Sequence, residues 1–166
     1  MSSISLIGMP GAGKSTLGVQ LAKATARDFV DTDLLIQLRE HKPLQQIIDE
    51  TDYLNLRRIE EETLLAVNDN NHIIATGGSA VYSEAGMAAL KKLGPVVFLD
   101  VALDELKQRI NNYEQRGIAR HPEQNFADLF AERNALYRRH ADHVIDCAGK
   151  TQDELVAMIV EATTAA

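Results

Sequence analysis

Apolar residues along this chain fall into short dense runs separated by longer stretches with helical spacing. Ile4 to Ile7, Phe29 to Thr32, Ile73 to Thr76, Val96 to Asp100 and Val144 to Cys147 are nearly continuous in hydrophobic or β-branched residues. Such runs predict strands covered on both faces, which is the environment of a parallel sheet. Between them, the pattern predicts helices over Lys14 to about Thr25, within Leu34 to Glu50, over Tyr53 to Asn68, over Ser83 to Lys92 and over Leu103 to about Asn112. Two more are expected over Phe126 to Arg139 and Thr151 to Ala162. Alternation of this kind predicts an α/β layered fold with a ligand at the carboxyl ends of its strands. Asn112 to Gln124 breaks the pattern: it is polar, carries Gly117 and Pro122, and reads as a mobile loop or lid over about 112–124. No internal repeat or low-complexity tract is found.

The first strand runs directly into Gly8-Met9-Pro10-Gly11-Ala12-Gly13-Lys14-Ser15, with Thr16 following, and a helix is expected from Lys14. This is a complete phosphate-binding loop, G-x-x-x-x-G-K-[ST], in its strand-to-helix setting. Its glycines let the backbone close into a nest of N–H groups, the lysine brings a charge to the β/γ-phosphates, the Ser15 hydroxyl can ligate Mg²⁺, and the helix presents its positive end. A nucleoside triphosphate is therefore the expected ligand.

Length and composition narrow the setting. With 166 residues and 45% hydrophobic content, one core and one domain over 1–166 are expected. A formal charge of −7 opposes a standing nucleic-acid surface and leaves the arginines as local positives for small anions. The single Cys147 rules out an intramolecular disulfide, and it and the five histidines show no zinc-ligand spacing. No charged-then-apolar leader and no run approaching a membrane span is seen, so a cytoplasmic protein that does not engage a membrane is expected.

Asp31-Thr32-Asp33 ends the second strand, placing two carboxylates two residues apart on one side of an extended segment, one for a metal and one for an acceptor hydroxyl. Farther on, Arg57-Arg58-Ile59-Glu60-Glu61-Glu62 lies on a helix where Arg57 and Glu60 can point together, suited to gripping a carboxylate or phosphate. Arg58, Glu61 and Glu62 read as a solvated face. Thr76-Gly77-Gly78-Ser79-Ala80 is a second glycine-rich turn where a ligand can approach the backbone. Arg109, Arg116, Arg120, Arg133, Arg138 and Arg139 crowd the region around the expected lid, as a transferring phosphoryl group requires of its cations. Of these, Arg138 and Arg139 read as surface charge. Asp100 has no glutamate after it to activate water and reads as a strand-end or capping residue, and no N-K-x-D guanine motif occurs.

Taken in order, G-M-P-G-A-G-K-S, D-T-D, L-R-R-I-E-E-E, G-G-S-A-V and R-N-A-L-Y-R-R-H-A-D resemble the shikimate kinase family over nearly the whole chain. The resemblance implies a three-layer P-loop kinase fold, a five-stranded parallel sheet flanked by helices with a mobile lid, and ATP- and Mg²⁺-dependent phosphorylation of the 3-hydroxyl of shikimate. It implies nucleotide binding by Gly11, Ala12, Gly13, Lys14, Ser15 and Thr16, with Arg109 against adenine. Ser15 and Asp31 would serve the metal, the latter through water, and Asp33 would orient the accepting hydroxyl. Arg57 and Arg133 would grip the substrate carboxylate, Glu60 would position an arginine, Gly77 and Gly78 would line the substrate pocket, and Arg116 would be the lid arginine. The substrate-binding helical segment would span about 34–62. Departures gather on the substrate side: Ser79 replaces a third glycine, Arg116-Gly117-Ile118-Ala119 replaces R-P-L-L, Asp52-Tyr53 replaces a Gly-Glu pair, Leu56 replaces a phenylalanine, and Arg133-Asn134-Ala135-Leu136-Tyr137 replaces R-x-P-L-Y. The expected protein is a monomeric kinase of a small hydroxy acid, shikimate first, with gluconate or homoserine as alternative acceptors and a non-catalytic nucleotide-binding regulatory module as the alternative outside the enzyme class.

Overall fold

The computed structural model describes residues 1–110 and 117–164. Five strands form one parallel sheet: β1 (Ile4–Ile7), β2 (Asp28–Asp31), β3 (His72–Ala75), β4 (Val96–Asp100) and β5 (His143–Asp146), in the order β2-β3-β1-β4-β5. The described helices are α1 (Lys14–Thr25), α2 (Thr32–Glu40), α3 (Leu44–Glu50), α4 (Tyr53–Ala66), α5 (Glu84–Leu93), α6 (Leu103–Arg109), α7 (Phe126–His140) and α8 (Gln152–Thr164), with a 3₁₀ turn over Ala80–Tyr82. Every residue of β1 is buried and so are Val96 to Leu99, which is why these runs carry no polar alternation. The main core gathers Leu6, Leu17, Leu21, Leu64, Ile73, Ile74, Val97, Phe98, Leu129, Tyr137 and Ile159 around the sheet.

A smaller cluster lies to one side, where Ile36, Ile47, Leu56, Ile59 and Ala119 pack together with Leu44, Ile48 and Tyr53. It ties α2, α3 and α4 into one unit and fastens Ala119 to it. The expected lid is thereby corrected in its second half: Gly117, Ile118 and Ala119 are buried, and the Gly117 N–H donates to Gln45 Oε1 at 3.0 Å. The first half, with Arg116, lies outside the described residues.

Helix ends follow local side chains. Asp52, Ser83 and Asn125 cap α4, α5 and α7 by accepting from the N–H groups of Asn55, Gly86 and Asp128. The stretch from Leu34 to Glu50 is two helices, because α2 closes on His41 in the left-handed region (φ 57°) and Pro43 then sets the start of α3. Strand β2 also ends one residue earlier than its hydrophobic run implies. Asp31 caps α2, so Thr32 and Asp33 already belong to that helix.

Candidate active site

Parallel strands deliver three loops to one edge of the sheet. Asp31 of β2 and Leu6 of β1 both register with Ala75 of β3, so the ends of these strands are neighbours. Thr76 pins the following turn to β1, its N–H and its hydroxyl both donating to the Leu6 carbonyl at 3.2 and 2.8 Å. The Gly77 N–H donates to Thr32 Oγ1 at 3.2 Å and ties the same turn to α2.

The phosphate-binding loop leaves β1 and enters α1 through Gly13, a left-handed residue (φ 94°) that supplies no side-chain cap. The first N–H groups of α1 are thus left for an anion, which is the fit a triphosphate requires. Lys14 is buried and folds back, its ammonium donating to the carbonyls of Gly8 and Met9 at 2.6 and 2.9 Å. Burial lowers its pKa to about 8, although the carboxylates of Asp33, Asp31 and Glu60 pull the other way. The Ser15 hydroxyl donates to Asp31 Oδ2 at 2.5 Å, so the two expected metal-serving groups stand together. Among the described residues no cluster of three or more His, Cys, Asp or Glu could hold a metal alone, which leaves the Ser15–Asp31 pair needing further ligands from bound phosphate and water. Arg109 is exposed at the mouth, donating to the Gly11 carbonyl at 3.0 Å and pairing with Glu105.

Asp31 and Asp33 do not share the side of a strand as the sequence pattern implied. Asp31 Oδ1 accepts from the N–H groups of Asp33 and Leu34 at 2.9 and 3.3 Å while its other oxygen takes Ser15, so one carboxylate both caps α2 and holds the Ser15 hydroxyl. Asp33 occupies the first turn of α2 and faces Gly77. A Cβ there would overlap the carboxylates of both Asp33 and Glu60, and one on Gly78 would overlap the Arg133 guanidinium and Pro10. This close approach is the reason for two glycines in the turn. Burial first, then Asp31, raises the Asp33 carboxyl to about 6 against the pull of Lys14 and Arg133. Burial and Asp33 raise Glu60 to about 7.

Arg57 and Arg133 converge, but not through Glu60. Arg133 on α7 is fully buried and its Nη2 donates to the Ala119 carbonyl at 2.7 Å; Arg57 on α4 reaches the same oxygen at 3.2 Å. The Arg57 guanidinium lies over Tyr82, 3.6 Å from the ring centroid, with Tyr53 at 4.9 Å and Arg133 5.5 Å from the Tyr82 ring. Glu60 instead accepts from the Ser79 hydroxyl, which corrects the expected pairing of Arg57 with Glu60. The Nε atoms of both arginines and Glu60 Oε1 are buried with no hydrogen-bond partner among the described residues. Two cations thus converge on one backbone oxygen with donors to spare, the arrangement a carboxylate would complete.

One cavity of 370 Å³ is lined by Gly13, Lys14, Ser15 and Thr16 together with Asp33, Glu60, Gly78, Ser79 and Arg133; Asp31 and Gly77 do not line it, and Arg57 lines neighbouring hollows with Tyr53 and with Tyr82. The remaining arginines lie elsewhere. Arg138 and Arg139 pair on the surface with Asp100 and Glu84, and Arg58 pairs with Glu62. Arg120 donates to the carbonyls of His121, Pro122 and Gln124 and so shapes its own loop.

A family model for shikimate kinase matches residues 10–164. Shikimate kinase 2 of Enterobacter sp. (strain 638) is 33% identical over 164 residues, spanning 96% of this chain and 94% of its own length. The chain belongs to the shikimate kinase family. It is accordingly a phosphotransferase with an alcohol acceptor, in a family whose phosphate donor is ATP. Solved structures agree: shikimate kinase from Acinetobacter baumannii in complex with shikimate superposes with a TM-score of 0.86 at 28% identity, covering 97% of this chain and 92% of that one. Shikimate kinase from Aquifex aeolicus gives 0.83 at 29%, covering 96% and 95%.

Against the shikimate kinase pattern, the departing residues Leu56, Ser79, Gly117, Ile118 and Ala119 all line the cavity. Three further residues were given no role of their own in the sequence reading. Tyr82 holds Arg57, Tyr137 donates its hydroxyl to the Gly78 carbonyl at 2.6 Å, and Thr32 anchors Gly77. Thr32 and Tyr137 stand inside the D-T-D and R-N-A-L-Y strings, whereas Tyr82 lies outside every quoted string.

Proposed function

We propose that this chain transfers the γ-phosphoryl group of Mg·ATP to the 3-hydroxyl of shikimate. The observation that carries the reading is the convergence of Arg57 and Arg133 on the Ala119 carbonyl, with Arg133, Asp33 and Lys14 lining one cavity. Gly11, Ala12, Gly13, Lys14, Ser15 and Thr16 would hold the triphosphate, Ser15 and Asp31 the Mg²⁺, and Arg109 the nucleotide's outer side. Bound there, the nucleotide supplies an electrophilic phosphoryl group and the metal neutralises its charge. Arg57 and Arg133 orient the acid by its carboxylate, Gly77 and Gly78 let its ring approach the backbone, and Asp33 aligns the hydroxyl and receives its proton at a carboxylate oxygen. Arg116 would meet the phosphates from the lid. A monomer in the cytoplasm is part of the same reading; among the described residues no helix is long and apolar enough to cross a membrane.

Gluconate or homoserine would use the same fold, and the carboxylate grip alone does not separate them from shikimate. The grip itself is tested by Arg57→Lys and Arg133→Lys, which keep the charge and lose the planar two-pronged geometry. Losing one charge-assisted hydrogen bond is worth about 1.5–3 kcal/mol, so the KM for shikimate should rise roughly tenfold to a hundredfold with the KM for ATP unchanged. Shikimate carboxamide, which lacks the anion, should be a poor acceptor for the wild type. Equal turnover of the acid and the amide would overturn the role of the two arginines.

A further inference from the structure

A planar guanidinium grips an anion well only when it is held in one orientation, and no carboxylate on α4 holds Arg57. Glu60 Oε2 accepts from Ser79 Oγ, and Glu60 Oε1 has no hydrogen-bond partner among the described residues. Arg58, the next residue on α4, pairs with Glu62, whereas the Arg57 Nε has no partner among the described residues and its Nη2 reaches the Ala119 carbonyl at 3.2 Å. The closest contact of Arg57 is a ring: its guanidinium carbon lies 3.6 Å from the centroid of Tyr82, against 4.9 Å for Tyr53. Tyr82 is itself fixed at both ends. It closes the 3₁₀ turn after β3, its N–H donating to the Ser79 carbonyl at 3.1 Å, and its hydroxyl donates to Glu132 Oε1 on α7 at 2.9 Å. Glu132 Oε2 in turn accepts from Gln124 Nε2 at 2.6 Å. The ring is thus strung between the turn and the helix that carries Arg133, with its face against Arg57.

We propose that Tyr82 is a positioning residue for the acceptor: its ring face orders the Arg57 guanidinium before the hydroxy acid arrives, the task that Glu60 does not perform in this chain. This rests on the reading that Arg57 grips the carboxylate of the acid. A free arginine side chain samples many rotamers and gives up that freedom when it clamps an anion, so a contact that orders it beforehand removes part of the cost from binding. A ring suits the task because a cation–π contact uses the face of the guanidinium, while the N–H donors lie in its plane and stay available for a two-pronged grip. Tyr53 is the more distant ring and stands edge-on to His121, with centroids 6.1 Å apart. Tyr82 is the one that connects the arginine to both the turn after β3 and α7. Ordering of this kind acts on binding of the acid and leaves phosphoryl transfer from the bound complex untouched.

The experiment compares wild type, Tyr82→Leu and Tyr82→Phe by steady-state kinetics with ATP and shikimate. Alongside it runs ¹⁵N relaxation of the arginine Nε–H groups in protein without acceptor, the Arg57 signal being assigned with Arg57→Lys. Tyr82→Leu fills the space without the face; it should raise the shikimate KM roughly three- to tenfold, as loss of order in one long side chain implies. The ATP KM and kcat should stay within about twofold, since neither depends on the acid's grip. The order parameter of the Arg57 Nε–H should fall and that of Arg133 should not. Tyr82→Phe keeps the face and loses only the exposed hydrogen bond to Glu132, so both readouts should return to wild type. An unchanged shikimate KM or an unmoved Arg57 order parameter in Tyr82→Leu overturns the proposal. So does a Tyr82→Phe variant that behaves like Tyr82→Leu, which would give the role to the hydroxyl, and so does a parallel rise in both KM values or a joint loss of order at Arg133, either of which marks a general loosening. Absence of any turnover of shikimate by the wild type would instead sink the functional reading, and the Arg57 relaxation, which needs no acceptor, would still decide whether Tyr82 orders that guanidinium.

Discussion

Asp33 sets the needs of the reaction against those of the fold. Its carboxyl is raised to about 6, so between the ordinary value of 3.8 and that point the folded chain binds the proton that the unfolded chain has released. Stability contributed by this group is therefore lost as pH rises through that window. Asp33→Asn should then stabilise the protein more at pH 7.5 than at pH 4, by up to about 3 kcal/mol between the two, while kcat falls at least a hundredfold and ATP affinity changes little. Thermal melts at the two pH values, with single-turnover kinetics, check both halves; a variant equally stabilised at both would show that the carboxylate is not strained by burial. The identities of Lys14, Asp31, Asp33, Arg57 and Arg133 were legible in the sequence because each sits in a short motif whose chemistry requires that residue type. Their partners were not. Arg57 takes its place from Tyr82 and from the carbonyl of Ala119, and Glu60 takes its partner from Ser79, contacts between residues far apart in sequence that periodicity does not encode.

Among the elements, α2, α3 and α4 form a unit with its own small core, and the segment from Gly117 to Ala119 is fastened to it. The sequence showed the helical content of this stretch but not its break, because the left-handed His41 leaves no signal of its own and only Pro43 hints at a boundary. It also read the polar composition of 112–124 as a mobile loop or lid, whereas Ile118 joins the main core and Ala119 the small cluster of α2, α3 and α4. Gly117 is the hinge of that attachment: its φ is +69°, and a Cβ would overlap Leu44 and the backbone nitrogen of Gln45. Gly117→Ala should cost about 1–3 kcal/mol through left-handed strain, with the overlap added. Because Ala119 caps both arginines, the shikimate KM should shift in the same variant while the ATP KM stays put. Unaltered melting and kinetics would mean that this segment does not rest on α3 as described.

For the molecule as a whole, the strand runs predicted five parallel strands but not their order. That order, β2-β3-β1-β4-β5, depends on which strands pair and brings the ends of β1, β2 and β3 to one edge. There, three buried or partly buried ionisable groups have been moved towards neutrality by the same low-dielectric cavity. For the free enzyme, kcat/KM for the acceptor should follow a bell. Its acid limb lies between about 6 and 7, where Asp33 and Glu60 ionise as a pair, and its alkaline limb near 8, where Lys14 loses its proton. A pH–rate profile flat from 5 to 9 would show that these groups do not govern the reaction.

Most directly, ADP release can be followed in a coupled assay with ATP and Mg²⁺ and, in turn, shikimate, its carboxamide, gluconate, homoserine and no acceptor. Release with shikimate well above the ATP-only blank, with a monophosphate of shikimate as the product by mass, is the predicted result. No release above the blank with shikimate, while gluconate or homoserine supports turnover, would contradict the assignment and direct attention to Leu56, Ser79 and Gly117 to Ala119, the cavity residues that depart from the family.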